Sequence, residues 1–452
     1  MKNHRNISHN FSRCYFVIIV VALLFVSCHN PVDSTKKEIL KANAGGDQTS
    51  YVGSYILLDA SKTKLLAGEQ ISDIEWIADS TNPEKILINE GDNRILDPWY
   101  TGFDKEGKYK ITLNVTSTSR NVYTDDMTVI VKPRQAGLMV DANLEIQIRY
   151  KNNYPVGDLS ADRLHLLDTI NVALFALQNP IRSLEGIEHC SNLTFLSVGL
   201  EKIVDLKPLS SLIRLEFLDV EQNRTIEDIS PIYSLTSLKT LILFSDPIKD
   251  ISGLSNLINL KELDLNWTPI SDISSLTNLV NLEILFLAGV TINSSFITLE
   301  PLRNLTKLKQ LTLYDRSITD ITPLQNLTEL NYLALSYNSL TNISALSRMN
   351  KLLRLEIDLN NINDMSGIKN LINLDYLSAD NNQIKDISEL QYLPKIHVIG
   401  LSGNKIEDLL PLVNNTNIGK GVYIFLSNNP LNQKSINEYI PALIARGVVV
   451  YL

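Results

Sequence analysis

A 22-residue spacing of leucines runs through most of the chain, from residue 171 to residue 431. Apolar side chains fall at positions 1, 4, 6, 11, 14, 17 and 20 of each repeat, often with Asn at position 9 and Asp at position 13. In the repeat "LKTLILFSDPIKDISGLSNLIN", position 1 is Leu238. A unit this short cannot bury its apolar side alone, so successive units must stack on one another as coils. The pattern therefore predicts a solenoid.

The alternation within each coil predicts where its side chains point. We expect positions 3–7 to form a short strand, with positions 4 and 6 pointing inward and positions 3, 5 and 7 outward. The Asp at position 13 should begin a tight turn on the opposite side, with its carboxylate accepting free N–H groups. Such coils predict a right-handed leucine-rich repeat solenoid with a concave parallel sheet and a convex side of 3-10 turns and loops. The 22-residue form resembles the internalin-type repeats of bacterial surface proteins, a fold that does not by itself name a ligand.

Both ends of such a stack need covers, because a terminal coil has a neighbour on one side only. Residues 138–170 include "DANLEIQIRYKN" and resemble the N-terminal cap of internalin-type solenoids. Residues 432–452 include "SINEYIPALIARGVVVYL", which predicts a C-terminal cap made of a helix followed by a strand. We interpret both segments as structural.

A different pattern, with a period of two residues, marks residues 39–134. Short β-prone runs separated by Gly, Asn, Asp and Lys clusters predict an all-β immunoglobulin-like sandwich, with Trp76 in its core. The segment resembles a PKD domain in "ANAGGDQTSYVGSYILLDASKT", in Trp76 and in "GKYKITLNVTS". We interpret it as a spacer, with a binding module in its own right as the alternative.

Residues 1–27 have the composition of a secretory signal. The apolar run "CYFVIIVVALLFVS" follows the basic residues Lys2, Arg5 and Arg13. It is short for a membrane span but suits the apolar part of a signal peptide. The run ends at "LFVSC", which resembles the lipobox of bacterial lipoproteins and implies acylation of Cys28. An ordinary signal peptide and an uncleaved anchor are the alternatives.

The lipobox resemblance also suggests a location. Residues 28–38 would form a polar tether between the lipid and the first folded unit. The residue after Cys28 is His29 rather than the Asp that marks retention in the inner membrane. We therefore expect an exported protein that is lipid-anchored to the bacterial outer membrane and exposed at the cell surface.

Composition and charge exclude several classes of function. The formal net charge is -9 and the body of the chain has no run of Lys and Arg, which argues against a nucleic-acid partner. Outside the signal and Cys28, Cys190 is the only cysteine, so no disulfide framework is expected. The six histidines are scattered without metal-ligand spacing, and no phosphate loop or nucleophile motif occurs. We predict no cofactor, no metal and no enzymatic activity.

Aromatic side chains in six consecutive coils define the candidate ligand-binding surface. Trp267 stands out because it occupies position 8, where the repeat favours a small polar residue. With strands about 4.8 Å apart, the aromatic residues of these coils would form a band roughly 24 Å long. Exposed apolar patches and rigid aromatic side chains are typical of binding surfaces. The predicted band consists of Phe217, Phe244, Trp267, Phe286, Tyr314 and Tyr337.

A second irregularity coincides with this band. The Asn at position 9 is replaced in four consecutive coils, and the coil that begins at Leu282 is lengthened to 26 residues. Departures from a local rule that cluster on one surface are expected at functional sites. The replacing residues are Asp246, Thr268, Val290 and Arg316. The carboxylates expected to flank the band and to select a partner with basic groups are Asp219, Glu221, Glu262 and Asp264.

These features favour a non-enzymatic, membrane-anchored binding protein. The expected partner is a protein held on the concave face, and the internalin resemblance makes adhesion plausible. A glycan-binding surface lipoprotein is one alternative, since aromatic platforms also stack on sugar rings. An envelope scaffold without an extracellular ligand is another. The aromatic residues would then merely pack on one another or under the lengthened coil.

Overall fold

The structure, a computed structural model, has two separate clusters of buried apolar side chains, one before and one after residue 133. The signal segment and Cys28 lie outside the described residues. In the described part of the chain, no helix has the length and apolar character needed to cross a membrane. The structure describes residues 41–51, 55–58, 60–65, 67–86, 88–89, 99–103, 105–132, 138–151, 159–172, 180–289 and 298–452.

Among the described residues, seven strands precede residue 133, and their alternating burial places one face of each long strand inward. They form two sheets, with orders β1-β7-β6-β3 and β2-β5-β4, in which every pairing is antiparallel except that of β1 with β7. Trp76 and Leu113 from the first sheet and Leu58 from the second are buried in one core. The predicted burial of Trp76 is thus confirmed. The strands are β1 (Gln48–Tyr51), β2 (Tyr55–Leu58), β3 (Ile71–Ala78), β4 (Ile88–Asn89), β5 (Trp99–Gly102), β6 (Gly107–Ser117) and β7 (Val122–Lys132).

Two helices, α1 (Ala142–Lys151) and α2 (Ala161–Leu164), cover the start of the repeats. Asp141 links α1 to the first coil, because its Oδ1 accepts the N–H of Asn143 and its Oδ2 accepts the N–H of Arg182. This carboxylate both caps the helix and fixes it to the solenoid.

In the part of the solenoid that the structure describes, thirteen short strands form one parallel sheet in sequence order. Each occupies three residues, positions 3–5 in the repeats, and is thus shorter than the predicted positions 3–7; the backbone turns left-handed at position 8 in most coils. The first strand also crosses the predicted boundary between residues 170 and 171. The strands are β8 (Thr169–Asn171), β9 (Phe195–Ser197), β10 (Phe217–Asp219), β11 (Thr240–Ile242), β12 (Glu262–Asp264), β13 (Ile284–Phe286), β14 (Gln310–Thr312), β15 (Tyr332–Ala334), β16 (Arg354–Glu356), β17 (Tyr376–Ser378), β18 (Val398–Gly400), β19 (Tyr423–Phe425) and β20 (Val449–Tyr451).

Short helical turns form the side of the coils opposite the sheet. The predicted role of the Asp at position 13 is confirmed: Asp250 Oδ1 accepts the N–H of Ser252 at 2.8 Å, and this bond lowers the pKa of Asp250. The turns are 3-10 helices at Ile187–His189, Lys207–Leu209, Ser230–Ile232, Ser252–Asn256, Ser274–Asn278, Glu300–Leu302, Thr322–Asn326, Ser344–Leu346, Ile368–Asn370 and Ser388–Tyr392, and the α-helix α3 (Leu410–Asn414).

Between the sheet and the turns, the leucines of neighbouring coils form one continuous core. Burying each such side chain is worth about 1.5–3 kcal/mol, which is the main stabilising contribution in a stack of this kind. Cys190 belongs to this core, where burial raises the pKa of its thiol to about 12. At the far end, a π-helical turn (Ser435–Tyr439) leads into α4 (Ile440–Ala445) and then β20, the predicted order of helix and strand.

Candidate functional site

The backbone is left-handed at position 8 in almost every described coil. Residues other than Gly avoid this conformation because their Cβ atom crowds the following carbonyl, at a cost of roughly 1–2 kcal/mol. The slot therefore favours Asn or Gly. The residues there with positive φ are Leu200, Gln222, Ser245, Trp267, Asp315, Tyr337, Leu359, Asn381, Gly403 and Asn428.

Trp267 is the bulkiest residue in this slot. Its φ is 60°, its side chain is partly exposed, and its N–H donates to the carbonyl of Ala288 in the next coil at 2.9 Å. Tyr337 and Leu359 also occupy the slot, with 44% and 38% of their surfaces exposed. These large side chains therefore stand at the rim of the sheet although the left-handed backbone there favours Asn or Gly.

The predicted aromatic band is not a single column of rings. Its members occupy positions 3, 7, 8, 5, 7 and 8 of their coils, in chain order, and all six are at least partly exposed. Tyr314 and Tyr337 are brought together, with ring centroids 4.6 Å apart. Phe217 instead stacks at 4.2 Å on Phe195, which the sequence reasoning did not include.

A second cluster, also missed from the sequence, lies on β15, β16 and β17. The guanidinium of Arg354 sits 3.9 Å from the ring centroid of Tyr376 and 6.0 Å from that of Tyr332. Its Nε donates to Glu356 at 2.5 Å. Tyr332, Arg354 and Tyr376 stand at position 3 of three consecutive coils, so an alignment of the repeats could have revealed the cluster.

The predicted flanking carboxylates differ in exposure. Asp219, Glu221 and Glu262 are partly exposed on the sheet. Asp264 has 0% exposure, and its Oδ1 accepts the N–H of Asn266. Asp264 was expected to help select a partner. This expectation is corrected, because the side chain is buried and its Oδ1 accepts a backbone N–H of its own coil.

Further acids lie at sheet positions in later coils. Asp358 Oδ1 accepts from the hydroxyl of Ser378 at 2.6 Å and from the N–H of Asp380 at 2.8 Å. Burial and the nearby charge of Asp358 raise the pKa of Asp380 to about 6. The charged residues at positions 3, 5 and 7 of the described coils are Asp219, Glu221, Glu262, Asp264, Arg354, Glu356, Asp358 and Asp380. Arg354 is the one base among these eight residues, so the charged side chains at these positions are mostly acidic.

Asparagines at position 9 form a buried ladder beneath the rim, as the repeat pattern predicts. In Asn382, Nδ2 donates to the carbonyls of Ala379 in its own coil and Ile357 in the preceding coil. Its Oδ1 accepts the N–H of Ile362 at 3.0 Å. The same bonds recur at Asn223, Asn338, Asn360, Asn404 and Asn429.

Arg316 replaces part of this ladder. It has 1% exposure, and its guanidinium donates to the carbonyls of Leu287 at 2.6 Å, Ile270 at 3.0 Å and Ala288 at 3.1 Å. Leu287 and Ala288 stand three and two residues before residue 290, where an Asn would bond them. The hydroxyl of Thr268 meets the carbonyl of Leu265 in the same way. Arg316 and Thr268 therefore replace part of the hydrogen bonding that the missing amides would supply. Val290 itself and Asn179 lie outside the described residues.

These coils, their parallel sheet and their ladder define a leucine-rich repeat solenoid. A family model described as "Leucine Rich repeats (2 copies)" matches residues 372–414. The crystal structure of an internalin (InlF) of Listeria monocytogenes is 31% identical with a TM-score of 0.63, covering 70% of this chain and 91% of that chain. A leucine-rich repeat protein of Leptospira interrogans is 27% identical with a TM-score of 0.53, covering 61% of this chain and 70% of that chain.

The chain belongs to the internalin family of leucine-rich repeat proteins. No curated protein matches its sequence. A solenoid of this kind is typically a scaffold for protein–protein interaction rather than for catalysis.

Proposed function

We propose that this protein is a membrane-anchored, non-enzymatic binding protein whose sheet face and rim take up a protein partner carrying basic groups. The observation that carries the proposal is the presence of Trp267, Tyr337 and Leu359 in left-handed backbone. Asn381 and Gly403 show which residues fill that slot with less strain. Backbone strain beneath partly exposed apolar side chains is a feature of interaction sites.

Charge indicates the chemistry of the partner. At positions 3, 5 and 7 of the described coils, Arg354 is the only base among carboxylates, and it is paired with Glu356. Complementary potentials speed association and exclude wrong partners, so Lys and Arg are expected opposite this face. The proposed surface keeps Phe217, Phe244, Trp267, Phe286, Tyr314 and Tyr337 with Asp219, Glu221 and Glu262, and it omits the buried Asp264.

A phage-displayed random-peptide library, selected on the immobilised full chain, tests this surface. We expect the selected peptides to be rich in Lys, Arg and apolar residues, and to lose binding to the double variant Trp267→Asn, Tyr337→Asn. The matched control is Tyr392→Asn, which removes an exposed aromatic side chain from the turn side of the coils and should leave binding intact. Equal binding to the double variant, or selection of acidic peptides, would contradict the proposal.

Two alternatives have their own outcomes. Binding of the chain to an array of glycans, lost in the same double variant, would instead favour a glycan-binding lipoprotein. A chain that resists protease shaving on intact cells would favour an envelope scaffold, because its solenoid would then be hidden from extracellular partners. We propose adhesion only if the protease cleaves the chain on intact cells, which would show that the solenoid is exposed.

The anchor is proposed to be the lipidated Cys28, at the outer membrane. Cells fed a labelled fatty acid should label this protein, and Cys28→Ala should abolish the label. Cys14→Ala is the matched control, because Cys14 lies within the predicted signal and should be removed with it. Label that persists in Cys28→Ala would contradict the lipoprotein assignment.

The two-sheet region of residues 39–134 is proposed to be a PKD-like immunoglobulin module that spaces the solenoid from the membrane. Its core is separate from that of the coils, which supports an independent unit. A chain that begins near Ala136 should therefore still unfold cooperatively. An insoluble or molten product would show that the boundary is wrong.

A further inference from the structure

Two carboxylic acids occupy the ladder slot where other coils have Asn. Glu201 and Asp246 stand at position 9 of their coils, with 5% and 1% exposure. Glu201 Oε2 accepts the N–H of Ile181 at 2.6 Å, and Asp246 Oδ1 accepts the N–H of Arg224 at 2.8 Å. In both residues one oxygen thus performs the acceptor role of the asparagine Oδ1.

Asp246 has the shape of Asn, so its second oxygen replaces the donor nitrogen of the asparagine. Asp246 Oδ2 is buried and has no hydrogen-bond partner. In the equivalent place, Asn223 Nδ2 donates to the carbonyl of Val220, three residues back in its own coil. The equivalent carbonyl for Asp246 is that of Leu243. Thr268 in the next coil has only one hydroxyl proton and gives it to Leu265.

An ionised carboxylate would repel the carbonyl oxygen of Leu243, whereas a protonated carboxyl group can donate a hydrogen bond to it as the amide does. We propose that Glu201 and Asp246 are protonated rungs of the ladder, which makes the N-terminal half of the solenoid an acid-stabilised element that loosens as the pH rises through neutrality. The proposal is independent of any partner and concerns a regulatory property of the coils that carry the proposed binding face.

The electrostatic surroundings act in the same direction. Burial, with the nearby carboxylates of Asp219 and Glu221, raises the pKa of Asp246 to about 7. Burial, with the charge of Asp141 in the N-terminal cap, raises the pKa of Glu201 to about 7. The following coils present the neutral Asn223 to Glu201 and the neutral Thr268 to Asp246. Arg224 contributes its backbone N–H.

The sign of the pH effect follows from these shifts. In the unfolded chain the two acids would titrate near their ordinary pKa values of about 4. The folded state therefore holds protons that the unfolded state releases between about pH 4 and pH 7. The stabilisation is complete below that window and is lost as the pH rises through about 7. Carboxylates with lowered pKa, such as Asp250, have the opposite effect, so the test must compare variants at each pH.

The experiment measures thermal unfolding of the full chain and of Asp246→Asn, Glu201→Gln and the double variant from about pH 5 to about pH 8. We expect each variant to gain several degrees in Tm relative to the wild type as the pH rises, with the larger gain in the double variant. In the reverse direction, Asn360→Asp should introduce a loss of Tm at high pH that disappears at low pH. A Tm difference that does not change with pH would overturn the proposal.

Infrared spectroscopy gives a readout that does not depend on unfolding. Near pH 5.5, exposed carboxylic acids are mostly ionised, so a protonated carboxyl band marks groups with raised pKa. The wild-type spectrum minus that of the double variant should show such a band, and it should vanish as the pH rises past about 7. Absence of the band at pH 5.5 would also overturn the proposal.

Discussion

The C-terminal coils and the middle coils meet the same requirement with different chemistry. Each coil turns carbonyl groups inward as its chain leaves the sheet, and these must be paired because they are buried. From Asn338 to Asn429 a neutral amide pairs them in every coil. In the middle coils Thr268 and Arg316 donate to such carbonyls, whereas the carboxylate of Asp246 accepts an N–H.

The difference shows that an irregular repeat need not mark a ligand site. Arg316 supplies the donors that residue 290 cannot, so the change at position 9 is compensated within the fold. At position 8, by contrast, Trp267 and Tyr337 stand in left-handed backbone that would hold Asn or Gly with less strain. The large residues at position 8 are therefore the better indicator of a binding surface, and the replacements at position 9 concern stability and charge.

The largest expected effect is the loss of Arg316. Arg316→Ala would remove the guanidinium donor from the carbonyls of Leu287 and Ile270, and would open a cavity. The carbonyl of Ala288 would keep the N–H of Trp267 as a donor. Buried unpaired carbonyls cost about 1–3 kcal/mol each, so we expect the free energy of unfolding to fall by about 3 kcal/mol or more. Chemical denaturation of the full chain measures this change.

The matched control is Arg303→Ala on the turn side, where the guanidinium pairs with Glu300 in solvent. Its denaturation midpoint should stay close to that of the wild type, because exposed ion pairs contribute little. If Arg316→Ala were equally mild, the buried guanidinium would not be the replacement for the ladder.

A regular rung should cost less than Arg316. Asn382→Ala removes two donors and one acceptor from buried backbone groups, and we expect a loss of about 2 kcal/mol. Thr268→Ala removes one hydrogen bond and should cost about 1 kcal/mol. Denaturation curves of both variants would sharpen the comparison. An equal loss in both would mean that burial of the side chain, and not its hydrogen bonds, sets the cost.

Much of the solenoid follows from the sequence because its constraints are local and repeated. The 22-residue period places the leucines in the core, the Asp at position 13 before each turn, and Cys190 among the buried residues. The amide ladder follows in the same way from the recurrence of Asn at position 9. Each of these features depends on contacts between adjacent coils, which every repeat reproduces.

The parts that the sequence did not predict depend on departures from the repeat. Arg316 reaches carbonyls 28 and 46 residues away, through a coil whose length is itself irregular. Asp264 stands at an outward position yet is fully buried by its surroundings. The left-handed backbone at position 8 was not anticipated, because large residues such as Trp267 and Leu200 occupy a slot whose preference is for Asn or Gly. Periodicity alone carries no information about such individual contacts.

The smallest expected effect isolates the backbone strain at position 8. Tyr332 and Tyr337 lie in the same coil, one in extended backbone on β15 and the other at a φ of 58°. Tyr337→Asn loses the ring contact with Tyr314 but relieves roughly 1–2 kcal/mol of strain, so its net effect should lie within about 1 kcal/mol of zero. Tyr332→Asn gains no such relief and loses its packing on Arg354, so it should cost about 2 kcal/mol. Chemical denaturation of the two variants measures both losses in the free energy of unfolding. Equal losses would mean that the left-handed slot imposes no strain, and its large residues would then need no functional explanation.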